Sequence, residues 1–332
     1  MIQPAELLQR YDQGERDFPS LVLRNAQLQY ADLIDANFES AELPGADFHL
    51  SYLNRVNFQE ANLRKASLQG VTLNRAVLRR TKLQEADLQG SSLQSAILTM
   101  ADLSFANLAD TNLIAADLRS ANLRSANLRG ACLRGANLRE EGREDSANLS
   151  GAMLDDIDLE GAILREANLS RASLKGANLK RANLRGANLQ GADLTGADLS
   201  GASLADVNLS DAILDQTEIL DTNLERCDLS RSRLWHCSLK GSIFTDAVLC
   251  QANLTGSDLS TCKFNRADLS RSNLTQTNLT EAYLVKAYLA RANLSGADLS
   301  YANCNQADLS SATMLHITWK HTVMPDGSVR SH

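Results

Sequence analysis

Apolar side chains return every five residues along nearly the whole chain. From Leu23 to Leu138 the sites 23, 28, 33 and onward are filled without a miss, and the spacing resumes from Leu149 to Met314. Leucine fills 50 of these 58 sites, and Phe38, Phe48, Phe58, Ile219, Phe244, Phe264, Cys304 and Met314 fill the rest. A small residue stands two positions earlier, alanine at 39 of the 58, usually with Asn or Asp between, as in Ala121-Asn122-Leu123. Five residues advance an α-helix by roughly 500°, so the leucines of such a helix would spiral over every face. In a flat strand an odd step sends successive leucines to opposite faces. A chain that turns a right angle every five residues instead points each leucine at a common axis. Four such sides close a coil of about 20 residues, and the 58 units predict about 14 stacked coils.

The unit A-(N/D)-L-x-x, carried from residue 21 to about 324, resembles the pentapeptide-repeat family in the form frequent among cyanobacterial members. The resemblance implies an all-β solenoid, a right-handed quadrilateral β-helix with the centre leucine and the preceding alanine inside. The handedness comes from the resemblance, because the spacing is silent on it.

Residues 1–20 precede the pattern. Pro4 suits a first helical turn, Leu7, Leu8 and Tyr11 share a face, and Gly14 reads as a stop, so a short N-terminal capping helix is expected over the first coil. The repeat then divides into a block at 21–139, a charged insertion at 140–146 and a second block at 147–316. Residues 317–332 form a C-terminal cap and tail, with Trp319 and Met324 on centre sites. In the gyrase-inhibiting members of the family the C-terminal end is a dimer interface, so capping and homodimerisation both stay open there.

Leu138 and Leu149 are 11 residues apart, which reads as one repeat replaced by six polar residues. Nothing in this stretch can fill a core, so it is expected to bulge as a charged loop, with Glu140, Glu141, Arg143, Glu144 and Asp145 as candidate interaction residues. An inert insertion is the other reading, since surface loops lengthen at little cost.

Net charge is -7, partly because Asp serves as the polar residue of many repeats, and this argues against direct nucleic-acid binding. The charge is banded. Arg119, Arg124, Arg129, Arg134 and Arg139 make a belt with no acid between its ends, and a second basic zone covers Arg165, Arg171, Lys175, Lys180, Arg181 and Arg185. The acids from Asp193 to Asp228 then face only Arg226. Arg119 and Arg139 mark the belt as a candidate interaction surface. Trp235 is a second candidate, as an outward tryptophan. The other outward apolar residues, Phe105, Tyr283, Val285, Tyr288 and Tyr301, read as scattered.

No apolar run is long enough to span a bilayer, so no membrane contact is expected, and the start of the chain lacks the pattern of a signal peptide. A cytoplasmic protein is expected. Cys227, Cys237 and Cys262 fall on small inward sites and Cys304 on a centre site, with no pair one coil apart, so buried free thiols are expected. Cys132 and Cys250 should point outward without a partner. His236 beside Cys237 is the nearest approach to a catalytic or metal pair, yet the cysteine belongs to the core. No metal, cofactor, small-molecule substrate or enzymatic activity is expected.

The leading functional reading is therefore a non-enzymatic scaffold that mediates protein–protein interaction, with an unidentified protein partner. The resemblance includes a cyanobacterial member that acts in cell-differentiation signalling through regulatory proteins. One alternative is a DNA mimic acting on gyrase or another topoisomerase, against which the Leu/Ala core and the arginine belt both count. A spacer without a specific partner is the other.

Overall fold

Each centre residue opens a turn. In most units its carbonyl accepts the amide three residues on, as from Ala36 to Leu33 at 3.1 Å and from Ala187 to Leu184 at 2.8 Å. The residue two past the centre has a positive φ, +60° at Asp35 and +62° at Asp206, which is a type II arrangement. Most of these corners carry a side chain and so bear roughly 1 kcal/mol of strain each. Burial of a leucine at every turn offsets that cost.

Between turns a single residue bridges in parallel to the residue one course on, as Asp32 to Tyr52 and Asn253 to Asn273. A course of 20 residues thus has four bridges and four turns, and the chain is a repeat β-helix. This computed structural model describes residues 2–140 and 146–331. The chain forms two compact units, Met1–Leu169 and Ser170–His332.

The preference for Asn or Asp before each leucine has a local cause. The carboxyl or amide oxygen accepts the amide of the residue just past the leucine, as in Gln59 to Asn57 (3.0 Å) and Ser200 to Asp198 (3.0 Å). An Asn can also donate to the course before it, as Asn57 does to Asn37 (2.9 Å) and Asn278 to Asp258 (3.0 Å). One short side chain therefore closes its own turn and ties two courses together.

In each compact unit the core is a column of centre residues with alanines between. Phe18, Phe38 and Phe58 stack at 5.7 and 5.4 Å, and Phe244 on Phe264 at 4.7 Å. Where Ser or Thr takes an alanine site, its hydroxyl in most cases donates to the carbonyl of a centre residue, as Thr111 to Leu108 and Ser51 to Leu28, both 2.7 Å, whereas the Ser91 hydroxyl is buried without a partner. Such an acceptor offsets the cost of burying a hydroxyl.

Both ends depart from expectation in detail. Helix α1 spans Pro4–Asp12, buries Leu7 and Tyr11, and leaves Leu8 half-buried. The repeat begins before residue 21: Asp17 already bridges Asn37, and Phe18 is buried. The small inward site there is Arg16, whose guanidinium lies 3.7 Å from the Tyr11 ring, so the helix completes a unit that the sequence pattern hides. At the other end Trp319 is buried beneath Arg330, and strands β1 (Thr322–Val323) and β2 (Val329–Arg330) form a hairpin. Met314, on a centre site, is 41% exposed, and its neighbour Leu315 is 61% exposed.

The insertion costs no repeat, contrary to the sequence reading. Across it the bridges step by 26 residues, Asn122 to Asn148 and Cys132 to Asp158, and return to 20 at Asn148 to Asn168. The amide of Ala147 donates to the carbonyl of Leu138 at 3.0 Å, the bond that closes most other turns. Six residues have been added at a single corner. Residues 141–145, which include the candidates Glu141, Arg143, Glu144 and Asp145, lie outside the described residues.

Burial pushes the Cys237 thiol up to about 11 and the Cys262 and Cys304 thiols up to about 12, and it raises Cys227 further. Cys132 and Cys250 are half-buried; the Cys132 sulfur lies 3.9 Å from Asp158, and the Ser270 hydroxyl donates to Cys250 at 3.5 Å. The thiolate is the reactive form. At neutral pH a thiol-reactive dye is expected to label Cys132 and Cys250 in the native protein. All six cysteines should react after denaturation. Fast native labelling of Cys227 would contradict the burial.

Candidate interaction surfaces

The courses bring together charges that the sequence shows as separate bands. Arg119 pairs with Asp117 at 2.6 Å, Arg129 with Asp155 at 3.2 Å, and Arg134 with both Asp158 and Glu160. The belt from Arg119 to Arg139 is therefore not an uninterrupted cationic band, because acids of the next course lie against it. Arg139 is exposed, and Glu140 beside it is half-buried.

The second basic zone meets the acidic band in the same way. Lys175 pairs with Asp193, Lys180 with Asp198 and Arg185 with Asp206. From the other side Arg226 reaches Asp206, Arg231 reaches Asp211 and Arg233 reaches Asp215. The acidic band thus meets several cations rather than Arg226 alone. Residues 18 to 21 apart in the chain are neighbours on the wall, as the coil of about 20 residues predicts, but reading the charges as bands along the chain missed these pairs.

One pairing recurs at the corners. Asp35 and Arg55, Asp206 and Arg226, Asp211 and Arg231, and Asp246 and Arg266 each occupy corner positions one course apart. Each arginine donates two parallel bonds to its aspartate. The guanidinium hydrogen bonds hold all four carboxylates below the usual carboxylate range. A lowered folded-state pKa contributes stability above the unfolded value, and that contribution is lost as pH falls through the folded value. The melting temperature is therefore expected to drop on acidification below about pH 4. A variant with all four aspartates changed to asparagine should show a shallower drop over the same range. Equal slopes would mean that these pairs add nothing, as exposed pairs often do not.

Trp235 is partly exposed, as the sequence suggests, but it is not a free anchor. The Arg233 guanidinium lies 4.8 Å over its ring, while Arg233 donates to Asp215 at 2.6 Å and the Trp235 amide donates to the same carboxylate at 3.1 Å. The cluster fixes the indole against the wall.

The surface also holds apolar residues that sequence reading passed over. Tyr30, Leu50 and Tyr52 are 69%, 43% and 54% exposed, on two adjacent courses. Their signal in the sequence is a spacing of 20 between outward apolar positions, 30 and 50, which means little until the course length is known. Among the described residues no group of His, Cys, Asp and Glu could hold a metal ion, and no helix is long and apolar enough to cross a membrane. The grooves are open features of the walls, such as one of about 470 Å³ beside Tyr288.

Comparison with known proteins identifies the same repeat in the sequence. The family model for pentapeptide repeats matches successive stretches from residue 22 to residue 314 and leaves 140–144 unmatched. No curated protein sequence matches. Among solved structures, the chain is similar to HetL from the cyanobacterium Nostoc sp. strain PCC 7120, a pentapeptide repeat protein involved in heterocyst differentiation regulation. Identity is 29% over 99% of this chain and 100% of HetL, with a TM-score of 0.17. Rfr23 of the cyanobacterium Cyanothece 51142 is 30% identical over 34% of this chain and 63% of its own, with a TM-score of 0.13. QnrB1, a plasmid-mediated fluoroquinolone resistance protein, is 15% identical over 90% of this chain and 93% of its own, with a TM-score of 0.30. With the family model covering most of its length, and the five-residue turn and 20-residue ladder repeated through both units, the chain belongs to the pentapeptide-repeat family.

Proposed function

We propose that this pentapeptide-repeat protein is a non-enzymatic interaction module of the cytoplasm. In this reading a right-handed, four-sided β-helix of about 14 coils presents its walls, corners and ends to a protein partner. The filled axis carries the proposal. Centre leucines and inward alanines such as Leu88, Ala96, Leu209 and Ala212 are buried, so binding chemistry falls to outward side chains. High-pKa buried thiols suit a reducing compartment.

Three features are candidate contacts: the 140–146 insertion, the Arg233–Trp235 cluster, and the C-terminal end, where Met314 and Leu315 are exposed. The last would serve a homodimer. The pairing of the acidic band with lysines and arginines disfavours a mimic of the DNA backbone, which needs unpaired negative charge.

Affinity capture from the source cytosol tests the proposal, using the native chain, a chain lacking 140–145, and a Met314→Ser/Leu315→Ser chain. A protein captured by the native chain and lost with one variant identifies the contact. Capture of nothing specific by any of the three would leave the spacer reading in its place. Supercoiling by DNA gyrase is expected to be unchanged by a large molar excess of the protein, and inhibition would restore the mimic.

A further inference from the structure

Tyr30 and Leu50 occupy successive corners one course apart, with φ of +60° and +55°. Corners favour Gly, Asn and Asp, because a side chain there is strained. Most corners of this chain carry a side chain at positive φ, so the conformation itself is ordinary here; Tyr30 and Leu50 differ in being large, apolar and exposed where most corners hold polar residues or glycine.

The two corners belong to a larger patch. The Tyr30 amide donates to the His49 carbonyl at 3.0 Å, and the Tyr30 and His49 rings meet edge-on at 6.2 Å. Tyr52 bridges Asp32, so it stands on the wall that follows the corner. The next corner in the column is Gly70. A Cβ there would lie 2.6 Å from a methyl of Leu50, so Leu50 lies across a place left open by glycine. Tyr30, His49, Leu50 and Tyr52 form one apolar patch on walls that are mostly polar.

The charge around the patch is mainly acidic, with Arg16 and Arg55 both close to Asp35. Residues 25–54 contain Asp32, Asp35, Glu39, Glu42 and Asp47 and no lysine or arginine. Asp35 is paired with Arg55 of the next course. Asp32 lies on the wall after the corner and Asp47 on the wall before it, where Asp47 accepts from the Gln29 side chain and the His49 amide. An apolar centre with an acid on each flank fits a partner of the opposite rim charge.

We propose that this patch is the docking site for a basic amphipathic segment of a protein partner, one that sets leucine-like side chains on Tyr30, Leu50 and Tyr52 and lysine or arginine beside Asp32 and Asp47. The inference rests on the interaction reading above and gives it a site and a partner chemistry. Tyrosine at the centre of such a patch supplies large contact area at low entropic cost.

The test uses two labelled helical peptides, one of leucine and lysine and one of leucine and glutamate in the same pattern, read by fluorescence anisotropy with the full chain. The leucine–lysine peptide is expected to bind and the leucine–glutamate peptide to bind far less. Leu50→Ser with Tyr52→Ser should weaken the first by about tenfold or more. Phe105→Ser, at an exposed corner elsewhere, should change it by less than about twofold. Asp32→Asn with Asp47→Asn should weaken binding and flatten its salt dependence. If the serine pair lowers the melting temperature, Tyr30→Ser alone takes its place. Equal affinity for the native and patch variants, or no binding of the leucine–lysine peptide, overturns the assignment. A partner that the native chain captures from cytosol and the patch variant keeps would overturn the site while leaving the interaction reading intact.

Discussion

Excising 140–145 is expected to leave the protein folded and slightly more stable, whereas excising 140–146 is expected to disrupt it. The bond from Ala147 to Leu138 already closes the corner from which these residues extend. Removing six leaves Arg139 and Ser146 between the two, the usual pair of corner residues. Serine is accepted at the positive-φ position elsewhere, as at Ser120 and Ser125. Shortening the corner from eight residues to two lowers its closure entropy by about 1 kcal/mol. Removing a seventh leaves one residue where the turn needs two. The chain must then open the corner or slip by one, and a slip takes every later leucine off the axis. The expected loss is about 4 kcal/mol or more. Urea denaturation of the two deletions reads the contrast directly. If both deletions behaved alike, the placement of the insertion at this one corner would be wrong.

Leu88→Ala is expected to cost about 4 kcal/mol, toward the upper end of the range for buried leucines. Leu88 is fully buried, and so are Leu68 and Leu108 one course on either side. How far a cavity collapses decides where a substitution falls in that range. Here the backbone ladder holds the courses apart: the Leu88 amide donates to Asn107 at 2.7 Å and the Leu68 amide donates to Asp87 at 2.6 Å. The neighbouring leucines cannot close in without breaking those bonds, so the cavity persists. Leu88→Met nearly conserves volume and should cost less than about 1.5 kcal/mol. The urea midpoint measures both. A Leu88→Ala cost below about 1 kcal/mol would mean that the courses move together more readily than the ladder allows.

The core was almost wholly legible, because each unit states its own inward residues. Leu88 is central for the same reason that Leu194 is: an alanine two before, a corner two after. Legibility failed where a local pattern gave way to contact. Phe18 has Arg16 at its inward site and looks like the end of a helix, yet it belongs to the ladder because the guanidinium packs on Tyr11. Met314 keeps the spacing but is exposed, because it lies near the end of the repeat, where fewer courses follow to cover it. Trp235 was visible as an outward tryptophan, but its clamp by Arg233 and Asp215 was not.

The five-residue period by itself determined that the leucines share an axis and that a small residue fits between them, because these depend on residues within one unit. Only the tertiary structure decided which outward residues meet. Arg129 finds Asp155, Arg226 finds Asp206, and Tyr30 lies beside His49 and Leu50. Such neighbours are set by the length of a whole course, which is 20 residues in most of the chain and 26 where the insertion enters. That length is known only once the corner that absorbs the extra residues is known, and the corner is fixed by the bond between Ala147 and Leu138 rather than by any residue of the insertion.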